Sequence, residues 1–183
     1  MTLLTHWQRA INLVGPATLS DPWRRHVLDS AQLMRYLPHN ADAIYDLGSG
    51  AGLPGLILAM MGRSGIHLVE SDQRKVQFLR EVVRSLDLDV KIHAQRIEDL
   101  PAGCAGAVTA RALAPLPRLI NLAAPLLRAD AICLFLKGRR ASDELTEACK
   151  CWRMSAQSFP SLSDPSASVL KLWDITRAPL HRQ

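Results

Sequence analysis

Apolar residues in the first forty positions recur at helical spacing. Residues 3–14 read as a short helical arm that ends at Gly15-Pro16. Asp21-Pro22 reads as a helix cap followed by proline at the first helical position, and Val27, Leu28, Ala31, Met34 and Leu37 carry the same period as far as Pro38. From position 42 the pattern changes, and short apolar runs at 43–47, 66–70, 90–94, 107–110 and 131–137 read as strands. Helical stretches fall between and after them at 54–61, 74–86, 117–127 and 141–149. Strands alternating with helices at this length predict βαβ units, and therefore a mostly parallel sheet with helices on both faces. Residues 158–168 are rich in Ser and Pro, and 169–175 form a last strand, which predicts an antiparallel hairpin at the sheet edge.

Length adds one constraint. The 183 residues suit one domain with a single core, divided into an N-terminal helical cap at 1–40 and an α/β core at 41–183. With 48% hydrophobic and 21% charged residues the chain falls in the globular class, outside the disordered one. No apolar run approaches the roughly 20 residues that span a bilayer, and the N-terminus lacks the pattern of a secretory leader. A cytoplasmic location is expected. Cys104, Cys133, Cys149 and Cys151 lack paired C-x-x-C spacing and are expected to be free, mostly buried thiols, with no metal site. The net charge of +5 favours a polyanionic partner, although a solvated basic surface explains the same number.

The chemistry concentrates after the first strand, in Asp46-Leu47-Gly48-Ser49-Gly50-Ala51-Gly52-Leu53-Pro54-Gly55. In an open parallel sheet, ligands bind beyond the carboxyl ends of the strands, so a glycine loop at this point suits a nucleotide. Gly48, Gly50 and Gly52 follow a G-x-G-x-G spacing, and the dinucleotide fingerprint G-x-G-x-x-G fails because position 53 is Leu. Asp46 favours a cationic ligand over a pyrophosphate, as S-adenosylmethionine (SAM) requires. Glu70 closes the second strand, where an acid accepts from both ribose hydroxyls. Glu98-Asp99 follows the third strand, where methyltransferases often contact adenine. A glycine-rich turn with solvated acids is the plainer alternative.

Beyond the loop, the sequence resembles the RsmG (GidB) family of methyltransferases. The resemblance rests on Trp7 with Ile11-Asn12-Leu13-Val14, Arg25-His26-Val27-Leu28-Asp29-Ser30, the loop, Val69-Glu70-Ser71-Asp72, Arg74-Lys75, Phe78-Leu79-Arg80, Arg96-Ile97-Glu98, Thr109-Ala110-Arg111-Ala112-Leu113-Ala114 and Leu136-Lys137-Gly138. It implies a Rossmann-like SAM-dependent methyltransferase fold with a seven-stranded sheet, acting on N7 of a guanine in small-subunit (16S) rRNA; a monomer without metal or membrane partner is expected. It also implies that Gly48, Leu53, Ile97, Glu98 and Arg111 line the SAM pocket, with Asp46 and Glu70 at the methionine and ribose ends. Asn12, His26, Asp29, Lys137 and Arg139 would face the RNA. Two departures stand out: the segment before the first family-like residues is short, and Ser168 stands where relatives typically carry an arginine, which Arg177 or Arg182 would then replace.

The residues carry a chemical argument of their own. Methyl transfer is an in-line displacement that depends on positioning, and guanine N7 has a lone pair and no proton to remove. Thr109-Ala110-Arg111-Ala112 occupies the place of the D/N-P-P-aromatic sequence of amino methylation, and no Pro-Cys pair supplies a pyrimidine nucleophile. Arg111 and Lys137 are the candidate catalytic groups, as donors to guanine O6 or to phosphate. The competing reading of Arg111 is an ion pair with Asp46 or Glu70. His26 and Asp29, three apart on a helix, suggest either a dyad or a packing histidine. Arg74, Lys75, Arg80 and Arg84 form one basic cluster, more simply a solvated face, and Lys137, Arg139 and Arg140 a second beside the site. The other classes are a SAM enzyme for a small molecule or protein, a non-catalytic RNA-binding assembly factor and, last, an NAD-dependent oxidoreductase.

Overall fold

The computed structural model describes residues 1–179 and contains a seven-stranded sheet. Its strands are β1 (Ile44–Leu47), β2 (Ile66–Val69), β3 (Val90–His93), β4 (Ala105–Arg111), β5 (Leu127–Lys137), β6 (Trp152–Pro160) and β7 (Ser168–Arg177), in the order β3-β2-β1-β4-β5-β7-β6. The first five run parallel, and β7 joins β5 and β6 antiparallel. The sheet reverses its winding between β1 and β4, which opens the crevice where α/β proteins bind ligands.

The helices are α1 (Thr2–Gln8), α2 (Asp29–Ala31), α3 (Gly55–Met60), α4 (Gln73–Ser85), α5 (Leu116–Ala123) and α6 (Ala141–Ala148). α4 starts on the Asp72 carboxylate, which accepts from the N–H groups of Arg74 and Lys75, and it buries Val76, Phe78, Leu79 and Val82. All four residues of β1 are buried, as a central parallel strand requires. Tyr45 and Leu47 join the core beneath α5 and α6, while Ile44 joins the opposite core beneath α3 and α4. Leu4, Ile11, Leu33 and Leu37 belong to that second core, so the N-terminal segments pack against the same sheet.

Several expectations change in detail. The first helix stops at Gln8 because its side chain folds the chain back, accepting from the N–H groups of Leu13 and Val14 and donating to Val14 O. The helix expected from Pro22 to Pro38 is irregular: Trp23–Leu28 is π-helical, α2 follows, and Gln32–Arg35 is a 3-10 turn. Asp21 still caps it, accepting from Arg24 N–H. The widened turn coincides with a side chain inserted from β4, since Arg111 Nη1 donates to Arg25 O at 2.9 Å. The last hairpin is built from a strand that the sequence pattern conceals, because β6 is largely exposed and runs to Pro160 inside the Ser/Pro-rich stretch. The four cysteines are free, but only Cys133 is buried and Cys104 half-buried. Cys149 and Cys151 lie exposed where the chain leaves α6, so the expectation of mostly buried thiols fails for that pair.

Candidate active site

A cleft of about 970 Å³ opens at the carboxyl ends of β1, β4 and β5. The glycine loop forms one wall, and residues 12–16 and Thr18 with Arg25, His26 and Asp29 form another. Residues 136–140, with Ser163, Asp164 and Ser168 from the β6–β7 connection, complete it. Six basic residues (Arg25, Lys75, Arg111, Lys137, Arg139 and Arg140) line it against three acids (Asp29, Glu144 and Asp164), so its field is positive.

The loop owes its shape to its glycines. Gly48 and Gly50 both hold positive φ, and a Cβ on Gly48 would lie 2.5 Å from Leu113 Cδ1. Gly48, Gly50 and Leu53 line the cleft, whereas Gly52 faces inward onto Leu56 and Leu79. Asp46 is fully buried beneath the loop rather than in the cleft wall. Its carboxylate accepts from Thr109 Oγ1 at 2.9 Å and Gly55 N at 3.2 Å, which clamps strand to loop. Burial pushes its pKa up to about 6, against the hydrogen bonds from Thr109 and Gly55 that favour the charged form. Glu70 sits at the loop's edge, outside the lining of the cleft, and accepts from Gly50 N at 2.9 Å through one oxygen and from Asp72 N at 2.8 Å through the other. Ile97 is half-buried and Glu98 exposed in the turn after β3, also outside that lining.

On the opposite wall the N-terminal segment and the β6–β7 connection are joined by a polar network. Asp29 Oδ1 accepts from Ser163 Oγ at 2.6 Å, Gln32 Nε2 at 3.0 Å and Ser161 Oγ at 3.3 Å. Its Oδ2 stands 3.6 Å from Arg111 Nη1, so Arg111 is paired with Asp29, and neither Asp46 nor Glu70 is its ion-pair partner. Further out, Arg25 and Asp164 form a 2.6 Å salt bridge, and Arg24 Nε donates to Ser163 O. His26 is buried and hydrogen-bonded to Arg111 and Thr18, and no hydrogen bond joins it to Asp29, so the dyad is not formed. Burial first, then the Arg111 charge, lowers the His26 pKa to about 4.

Lys137 is less free than expected: its Nζ pairs with Glu144 Oε2 at 2.6 Å and donates to Ala114 O at 2.9 Å. Ala112, directly after Arg111, holds a φ of 53°, a strained position for a residue with a side chain, and it lines the cleft. Asn12 and Arg139 are exposed on the rim. Of the basic helix only Lys75 reaches the cleft. Arg74 donates to Ala10 O, and Arg80 and Arg84 lie exposed. Ser168 lines the cleft, but Arg177 stacks over Trp152 at the far end of the hairpin and cannot stand in for an arginine there. Arg182 lies outside the described residues. Sequence reasoning missed Thr18, Gln32, Glu144, Ser161, Ser163 and Asp164; the Ser-rich stretch with an aspartate near a strand was the one visible signal for the last three.

Residues 1–170 match the model of the GidB family, described as rRNA small subunit methyltransferase G. The chain belongs to this family of methyltransferases. Among GidB relatives named ribosomal RNA small subunit methyltransferase G, one from Rhodospirillum rubrum is 51% identical over 178 residues, covering 97% of this chain and 89% of its own. Another, from Rhodospirillum centenum, is 53% identical over 173 residues, covering 94% and 80%. The fold is shared more widely. The crystal structure of P. horikoshii TYW2 in complex with MeSAdo superposes with a TM-score of 0.60 at 15% identity, covering 92% of this chain and 65% of that one. Among the described residues no group of three or more metal-ligating side chains occurs, and no helix is long and apolar enough to cross a membrane.

Proposed function

We propose that this chain transfers a methyl group from SAM to N7 of a guanine in small-subunit rRNA. One observation carries the choice of acceptor atom: each carboxylate and the imidazole among the described residues that line the cleft already has a hydrogen-bond or ion-pair partner. His26 is held by Arg111 and Thr18, Asp29 by two serines and Gln32, Glu144 by Lys137, and Asp164 by Arg25 and Ser166. A reaction that must remove a proton from its acceptor needs a free base within reach. Guanine N7 presents a bare lone pair.

The residues fit SAM. The buried Asp46 carboxyl under the glycines suits a cationic ligand better than a pyrophosphate, and Gly48 and Gly50 let the backbone come close without a Cβ. Glu70, fixed by two backbone N–H donors, retains lone pairs for a ribose diol. Gly48, Gly50, Leu53 and Glu70 would hold the cofactor, with Ile97 and Glu98 on its adenine side. When bound, SAM supplies an electrophilic methyl group on a sulfonium. Arg111 would then hold the purine by O6, and Lys137, Arg139 and Asn12 would hold the RNA backbone against a positive wall.

The N-terminal segment and the α/β core act as one domain in this reading, since they share a hydrophobic cluster. In this reading the protein works in the bacterial cytoplasm, where ribosomal RNA is found. The test is transfer of labelled methyl from SAM to small subunits lacking the modification, followed by reductive aniline-type cleavage. One new cleavage site, dependent on the enzyme, is expected. Labelling of protein or small molecules in place of RNA, or SAM binding without turnover, overturns the proposal.

A further inference from the structure

Arginine has donors only, so the 3.1 Å contact between Arg111 Nη1 and His26 Nδ1 makes that ring nitrogen the acceptor. The proton of the neutral ring is then on Nε2, which stands 2.9 Å from Thr18 Oγ1 and donates to it. The Thr18 hydroxyl passes its own hydrogen to Gly15 O at 2.6 Å. Each link has one possible direction, and together they run from the end of β4 to the turn at 15–18 that walls the cleft. His26 is only 3% exposed and both its nitrogens are used. It has none left for RNA.

Among the described residues, the partners of Arg111 all fall on Nη1: Arg25 O at 2.9 Å, His26 Nδ1 and Asp29 Oδ2. Nε and Nη2 are left as the donors for whatever enters the cleft. A guanidinium gripped on one nitrogen has its plane set, and the plane decides whether two N–H groups reach a purine edge together.

We propose that His26 is a positioning residue. Through Nδ1 it sets which nitrogens of Arg111 face the acceptor base, and through Nε2 it holds the turn at 15–18 closed on the RNA side. This rests on the rRNA-methyltransferase reading above. It separates two effects that an RNA-contacting histidine would lose together, because the two ring nitrogens serve different ends of the reaction: Nδ1 the chemical step and Nε2 the docking of RNA.

Asn and Gln test the division. Asn places an amide acceptor near the position of Nδ1 and does not reach Thr18; Gln carries its amide out to the position of Nε2 and leaves a methylene where Arg111 needs an acceptor. With small subunits as substrate, His26→Asn should retain most of kcat and raise KM, whereas His26→Gln should keep KM and lose about tenfold or more in kcat. Combining Arg111→Lys with His26→Gln should cost little beyond Arg111→Lys alone, since both act through one guanidinium. Equal loss of kcat in the Asn and Gln variants, with unchanged thermal stability and SAM affinity, overturns the proposal. A second arm needs no turnover: the imidazole nitrogen resonances of the wild-type chain should report the neutral Nε2–H tautomer near pH 7. An Nδ1–H tautomer or an imidazolium there refutes the relay even if the methyl acceptor proves to be something else.

Discussion

Gly55 N–H donates to Asp46 Oδ2 across 3.2 Å, so the last glycine of the loop is tied to the strand that precedes the loop. Thr109 takes the other oxygen, and no part of the carboxylate is exposed. Asp46→Ala leaves two buried donors without partners and should cost about 2 to 4 kcal/mol in urea denaturation. Gly55→Ala places a Cβ 2.4 Å from Leu68 Cδ2 and 3.0 Å from that same carboxylate, and should cost about 1 to 3 kcal/mol. Neither variant should bind SAM as tightly as the wild type in calorimetry.

Asp46 and His26 respond to pH with opposite signs. The carboxyl pKa is raised by burial from 3.8 to about 6, so its contribution favours folding below pH 3.8 and is lost as pH rises through 6. The imidazole pKa is lowered from 6.5 to about 4, so its contribution is full above pH 6.5 and is lost as pH falls through 4. Each amounts to roughly 3 kcal/mol across its window. Urea curves at pH 4.5 and 7.5 should show that Asp46→Asn gains relative stability at the higher pH, and that His26→Asn gains it at the lower. Shifts in the reverse sense would contradict both assignments.

Glu70 fixes the loop through two separate oxygens, one on Gly50 and one on Asp72. Glu70→Gln turns an amide N–H₂ toward one of those backbone donors. SAM affinity is expected to fall by about tenfold, equivalent to about 1.4 kcal/mol, with the circular dichroism spectrum unchanged. Undiminished SAM binding would remove Glu70 from the cofactor site.

The Arg25–Asp164 pair sits on the rim of a positive cleft with the arginine side chain 43% exposed. Hydrogen bonds from Ser166, then the arginine, hold the Asp164 pKa down to about 2, so the acid stays charged and competes with any phosphate for Arg25. Asp164→Asn should raise affinity for naked small-subunit rRNA several-fold at about 50 mM salt and steepen the salt dependence by about one unit. Filter binding across a salt series reads both. Unchanged affinity and slope would mean that Arg25 does not meet RNA.

The repeating parts of this molecule were legible because period and composition agree there. The five parallel strands, the helix that became α4 and the tight glycine turn of the loop all follow from local rules, whereas the Asp72 cap of α4 shows only in the structure. β6 was not legible, since one exposed face and a run of small polar residues carry no alternation strong enough to mark a strand. The site divided in the same way. Gly48, Gly50 and Arg111 announce themselves by type and position, while Ser161, Ser163 and Gln32 acquire their place only from contacts across more than a hundred residues. Spacing brings Asp46 next to the loop without fixing the side of the strand on which its carboxylate lies, and that side turns out to be the interior.

The clasp between Arg24, Arg25, Gln32 and the β6–β7 connection has a consequence for synthesis. Arg24 waits for Ser163, 139 residues later, before its wall of the cleft can assemble. A nascent chain with the glycine loop complete still lacks half the rim until the β6–β7 connection has been translated. The complete rim thus belongs to both ends of the domain together, and no N-terminal fragment that stops before Ser163 can present it.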